Sequence, residues 1–279
     1  MNLRITLKAG GGLAILCLAS LIAGCQSGEV AGRLAEQQQL ARAEQKNNIA
    51  SLSEVIRQNP SDANALNLRG SAYGQSGEYE KALADFNAAI SINPQFPQAY
   101  ANRALIYARA KNAQQAIADY GQALNIDPNY TAALVGRGNV YRAMSNHPMA
   151  IADFSRAIEI QPDPIAYFNR GLSRQVMGQH AEAMDDFDNT LGFRSDAPEV
   201  YQAKGLSELA LKKYEGAFDN FLKAAQGSKD NYEAWALRGQ AAEGMGAKKE
   251  ASRAYQRALQ INPSFRPARE GLSRVGSEA

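Results

Sequence analysis

Six small residues recur along this chain at a near-constant interval. Gly70, Ala104, Gly138, Gly171, Gly205 and Gly239 are spaced 34, 34, 33, 34 and 34 apart. Twelve residues after each stands an alanine: Ala82, Ala116, Ala150, Ala183, Ala217 and Ala251. Four further on is an aromatic: Phe86, Tyr120, Phe154, Phe187, Phe221 and Tyr255. Three more brings Ala89, Ala123, Ala157, Thr190, Ala224 and Ala258. A unit this short cannot bury its apolar face alone, so it must stack on its neighbours. Numbered from the first residue of a unit, positions 4, 8 and 11 share one helical face, and positions 20, 24 and 27 share another. An antiparallel hairpin turning near position 15 sets 4 against 27, 8 against 23 or 24, and 11 against 20. Small residues at 8, 20 and 27 let the two backbones approach.

This pattern resembles the tetratricopeptide repeat, in six copies: 63–96, 97–130, 131–163, 164–197, 198–231 and 232–265. The resemblance implies an all-α fold, an α-solenoid of six helix-turn-helix repeats with capping helices at both ends. Residues 46–62 are expected to form the N-terminal cap, with Ile49, Leu52, Val55 and Ile56 on one face, and 266–279 the C-terminal cap and tail. Gly77, Gly178 and Gly246 fall at the turn, where a positive φ suits glycine. Asp62, Asp127, Asp163 and Asp196 lie near the starts of the first helices and suit capping. Pro94, Pro128, Pro162 and Pro263 close four copies, whereas Ser195 and Lys229 replace the closing proline in repeats 4 and 5.

Ahead of the repeats the chain has another layout. Arg4 and Lys8 precede an apolar run from Leu13 to Ala23, which is shorter than the roughly 20 residues that span a bilayer. The run ends in Ile22-Ala23-Gly24-Cys25, which resembles a bacterial lipobox. That resemblance implies a signal peptide over 1–24, a lipid on the Cys25 sulfur, and a linker over 25–45 that runs into the first helix. The other cysteine, Cys17, would leave with the signal, so the processed chain has no internal disulfide to hold it. Gln26, where an aspartate would imply inner-membrane retention, implies the outer membrane, with the repeats facing the periplasm.

Little in the sequence points to catalysis. His147 and His180 both occupy position 17 of their repeats, where Tyr79 and Tyr214 stand in others, and read as packing residues. Asp185-Asp186-Phe187-Asp188 lacks the glycine and glutamate of a calcium loop. There is no phosphate loop, HExxH or nucleophile elbow. No metal, cofactor or enzymatic activity is therefore expected. Without Arg4 and Lys8 the chain carries 28 basic and 28 acidic residues and no basic block, so nucleic acid is not an expected partner.

Position 7 is basic in every copy: Arg69, Arg103, Arg137, Arg170, Lys204 and Arg238. Sixteen residues later stand Asp85, Asp119, Asp153 and Asp186 in the first four. Hairpin geometry sets 7 nearly opposite 23, which reads as ion pairs between the helices; a basic ladder for an anionic polymer is the alternative. The family resemblance further implies a docking surface on the concave side, at positions 2, 5, 6, 9, 12 and 13. Candidates there are Asn64, Asn67, Asn102, Arg109, Asn139, Arg142, Phe168 and Asn169. Asparagine offers both donor and acceptor to an extended backbone. The implied partners are proteins or peptides, among them envelope hydrolases and proteases such as the NlpI-type lipoproteins recruit; a pilotin-like role in secretion or pilus assembly is the second implication. A homodimer is left open.

The lipid assignment has a direct test. Replacing Cys25 with alanine is expected to abolish labelling by a fatty-acid probe and release the protein from membranes. Label persisting in Cys25→Ala refutes the assignment. On a density gradient the wild type is expected with the outer membrane.

Overall fold

The computed structural model describes residues 43–228 and 230–276, with residues 36 and 39. The expected signal segment, Cys25, Gln26, most of the 25–45 linker, Lys229 and the tail 277–279 lie outside them. Every regular element among the described residues is a helix. These are α1 (43–58), α2 (Ala63–Gln75), α3 (Tyr79–Ile92), α4 (Pro97–Arg109), α5 (Ala113–Ile126), α6 (Thr131–Ala143) and α7 (His147–Ile160), then α8 (Pro164–Val176), α9 (His180–Phe193), α10 (Pro198–Ala210), α11 (Tyr214–Gly227), α12 (Tyr232–Gly244), α13 (Lys248–Ile261) and α14 (Arg266–Gly276). None is long and apolar enough to cross a membrane.

The chain forms two compact units, one ending at Ala88 and one beginning at Ala89. In the first, the Gln45 side-chain amide donates to the Ala72 carbonyl at 3.1 Å, and Arg69 Nη1 donates to Ser53 Oγ at 3.1 Å. These bonds hold α1 against α2. Ile49, Leu52 and Ile56 are half-buried, but Val55 is 43% exposed. The spacing explains the difference: 49, 52 and 56 follow one stripe, and 55 lies about 100° round the helix from 56.

In the second unit, helices pair in chain order and each pair packs on the next. Such nearest-neighbour stacking makes this unit an α-solenoid. Local sequence sets the helix ends. Pro97, Pro164 and Pro198 open α4, α8 and α10, where the missing N–H is no loss. The Ala166 N–H donates to Asp163 at 3.0 Å, as Ala65 does to Asp62 and Ala234 to Asn231, both at 2.9 Å. Asp127 and Asp196 do not cap these helices, contrary to the reading above. A capping side chain must sit immediately before the first helical residue, and there the N-cap positions belong to Tyr130 and Ala197. Asp127 instead accepts from the Asn129 N–H in the connecting turn.

Position 15 adopts a left-handed conformation in all six hairpins. It is glycine at 77, 178 and 246, with φ of 79°, 74° and 73°, and Lys111, Ser145 and Lys212 elsewhere, with φ of 59–60°. The turn geometry therefore overrides the residue. The core repeats as well. Phe154, Phe187, Phe221 and Tyr255 are at most 2% exposed, and each ring lies over the small residue at position 8 of its own hairpin. A methyl placed on Gly138 would meet Phe154 Cε1 at 2.8 Å. Gly138→Val is accordingly expected to destabilise by about 1–3 kcal/mol, because the ring has no room to withdraw. A urea midpoint equal to wild type would contradict this packing account.

Candidate functional site

A wide opening in the second unit lies between α4 and α6. Ala101, Asn102 and Leu105 form one wall, and Val135, Gly136 and Asn139 the other. Tyr120 from α5 closes the floor of this cleft of about 610 Å³. A recess of about 520 Å³ shares Leu105, Tyr120, Gly136 and Asn139 and continues past Ala108, Lys111 and Met144. In repeat numbering the walls are positions 5, 6 and 9 of successive first helices. The same positions, as Gln202, Leu206, Ala236, Leu237 and Gln240, line a third opening between α10 and α12. Periodicity thus brings the same positions to both openings, since the neighbouring positions 4, 7, 8 and 11 are turned into the hairpin.

The candidate residues separate on this surface. Asn102 and Asn139 line the cleft. The Asn139 carbonyl oxygen and Arg142 Nε are buried and form no hydrogen bond. Arg109 stands exposed at the end of α4. Phe168 and Asn169 do not join the cleft. The Asn169 amide donates to the Ile165 carbonyl of its own helix at 2.9 Å and is 9% exposed. Phe168 packs against Phe187, with ring centroids 6.0 Å apart. Asn64, exposed, and Asn67, buried, lie on α2 in the first unit. Among the described residues no three His, Cys, Asp or Glu side chains gather as a metal site would require.

Tyr120, Leu105, Val135 and Gly136 were not among the candidates read from the sequence. Tyr120 is 4% exposed, and burial pushes its hydroxyl pKa up to about 12, with Tyr130 adding and the charge of Arg109 opposing. A signal for it was present: only two copies carry tyrosine at position 24, Tyr120 and Tyr255. In both, position 6 of the following copy is glycine, Gly136 and Gly271. Each tyrosine ring tip fills the space a methyl at that glycine would take.

Position 7 has a separate chemistry. Arg103 donates from Nε and Nη2 to the two Asp119 oxygens at 2.7 Å each, and Arg137 to Asp153 at 2.8 Å each. Arg170 Nη2 meets Asp186 at 2.7 Å, and Arg174 joins the same carboxylate at 2.8 Å. In the first unit Arg69 meets Asp85 in the same fork. The aspartates hold Arg69, Arg103 and Arg137 above the ordinary guanidinium pKa against the opposing effect of burial. Both charges in each pair are thereby neutralised between the helices. Repeat 5 reverses the arrangement: Glu208 accepts from Asn220 at 2.7 Å, and burial raises its pKa. Arg238, opposite Ala254, lies 4.0 Å from the Phe218 ring centroid, and burial lowers its pKa.

The tetratricopeptide repeat family matches residues 97–130 and 232–265, and in a related description 131–164, with a further match to TPR repeats at 70–111. Over these residues the chain carries tetratricopeptide repeats, as proteins of the tetratricopeptide repeat class do. Proteins of this class are generally interaction scaffolds without enzymatic activity. No curated protein matches it in sequence. Among solved structures it is similar to one described as YrrB, a TPR protein with an unusual peptide-binding site: 19% identity over 67% of this chain and 97% of that one, with a TM-score of 0.64. It is similar also to PilW, described as a widely conserved type IV pilus biogenesis factor: 21% identity, 76% and 97% coverage, TM-score 0.61. In the APC/C hetero-tetramer Cut9-Hcn1 it spans 46% of the chain it matches, at 18% identity over 83% of its own length and a TM-score of 0.62.

The forked ion pairs are expected to stabilise the hairpins. Arg103→Met should cost about 1.5–3 kcal/mol, the range for hydrogen bonds to charged groups. A double-mutant cycle with Asp119→Ala should give a coupling of about 1 kcal/mol or more. Additive losses in chemical denaturation would remove the pair as a stabilising contact.

Proposed function

We propose that the row of first-helix positions in the second unit is a docking surface for extended segments of partner proteins. The observation that carries this reading is the cleft between α4 and α6. It presents exposed Leu105 beside the amides of Asn102 and Asn139, residues that the repeat core does not require. Apolar walls supply binding energy, and amides fix the register of a backbone. Together with the lipobox-like end at Cys25, this makes the protein a lipid-anchored scaffold at the outer membrane, facing the periplasm. Its role would be envelope maintenance, by recruiting peptidoglycan hydrolases or proteases in the manner of NlpI-type lipoproteins. A second reading, assembly of a pilus or secretion machine, is favoured by the similarity to the PilW structure.

Affinity recovery from solubilised membranes tests both. Leu105→Asp is expected to reduce recovery of the partner at least several-fold, while unfolding stays within about 0.5 kcal/mol of wild type, as is usual for surface changes. Cell-wall hydrolases or proteases among the lost proteins support the first reading, and pilus or secretin subunits the second. Recovery equal to wild type places docking on another face.

A further inference from the structure

The two tyrosine-bearing hairpins have the same architecture in different states of completion. At the C-terminal one, the Tyr255 hydroxyl donates to the Glu243 carboxylate, which Arg274 holds with Nε at 3.1 Å and Nη2 at 2.8 Å. Burial alone would raise the Glu243 pKa, but Arg274 and Tyr255 bring it below the usual value. A carboxylate, its cation and a phenol donor thus complete one another inside the chain.

The equivalent residues at the other hairpin stand 135 positions earlier in every case. Tyr120 corresponds to Tyr255, Gly136 to Gly271, Ala108 to Glu243 and Asn139 to Arg274. The phenol and its glycine slot are kept, but the carboxylate is absent. In its place is the recess lined by Ala108, Lys111, Tyr120 and Asn139, with no acidic residue on its walls. Among the described residues the Tyr120 hydroxyl donates to no protein group, and it opens onto the recess. The phenol donor that the last hairpin satisfies from within is thus left here for an outside acceptor. Lys111 on the rim gives the recess a positive charge.

We infer that this recess accepts the side-chain carboxylate of a glutamate on an extended segment of a partner protein, in the place Glu243 fills from within the chain at the last repeat. Tyr120 Oη and the Asn139 amide are the donors, and Leu105 and Val135 take the apolar neighbours of that glutamate. The inference rests on the docking reading above and specifies its ligand. Lysine or arginine in the same place would face Lys111, and an uncharged residue would leave that charge unanswered.

The test uses the full chain in detergent and three immobilised peptide pools with randomised flanks. One has a central Glu, one a central Gln, both acetylated and amidated, and the third a central Gln with a free C-terminus. The Glu pool is expected to retain about tenfold more protein than either other pool, as one charge-assisted hydrogen bond would give. Tyr120→Phe should bring that ratio near one without unfolding the chain, because Phe86, Phe154, Phe187 and Phe221 serve at the same position. Ala108→Glu, which supplies the carboxylate internally, should also abolish the preference and raise Tm. Equal retention of the Glu and Gln pools by wild type overturns this inference and leaves the docking reading standing. Best retention of the free C-terminus pool overturns the side-chain assignment. Retention of none overturns the docking reading together with it.

Discussion

The contact between the position 24 ring and the small residue at position 8 sets the spacing of each hairpin in the second unit. With Phe154 seated on Gly138, the helices approach closely enough for Ala150 and Ala157 to be sealed completely. Long side chains at 8 would hold the helices apart and open voids beside every neighbour. The forked bonds from position 7 to position 23 depend on the same distance. They also fix the hairpin in one register, since a guanidinium fork meets a carboxylate in only one orientation.

This economy determines where function can reside. Positions 4, 7, 8 and 11 are committed to the hairpin, so the remaining face of each first helix is available. There the copies diverge: Asn102, Gly136, Asn169, Ala203 and Leu237 all occupy position 6. Divergence on a constant scaffold allows one stretch to be closed by its own residues, as at Tyr255 and Glu243, and another to remain open, as at Tyr120. The difference between them lies in two side chains, Glu243 against Ala108 and Arg274 against Asn139, at equivalent positions.

The periodicity made the helical hairpins legible, because packing that repeats in space must repeat in sequence. The opposed charges of positions 7 and 23 were legible for the same reason. The groove residues were harder to read. Asn169 and Asn102 share position 6 and an amide, yet Asn169 turns back to the Ile165 carbonyl while Asn102 lines a cleft. Nothing in their local sequence separates these outcomes. Asp127 and Asp196 show the same limit at the scale of one residue, because capping is decided by where the helix begins.

The sequence alone pointed to helical hairpins, since small and aromatic residues recur at a fixed interval that resembles a known helical repeat. It also determined which charges oppose each other, because sixteen residues span one hairpin turn. Only the tertiary structure decided which surface polar groups were used internally and which were left open. That choice depends on side chains from adjacent repeats meeting across a gap. Among the described residues the Tyr120 hydroxyl meets no carboxylate, because Ala108 stands where the last hairpin has Glu243, which becomes visible only once the two helices are set side by side.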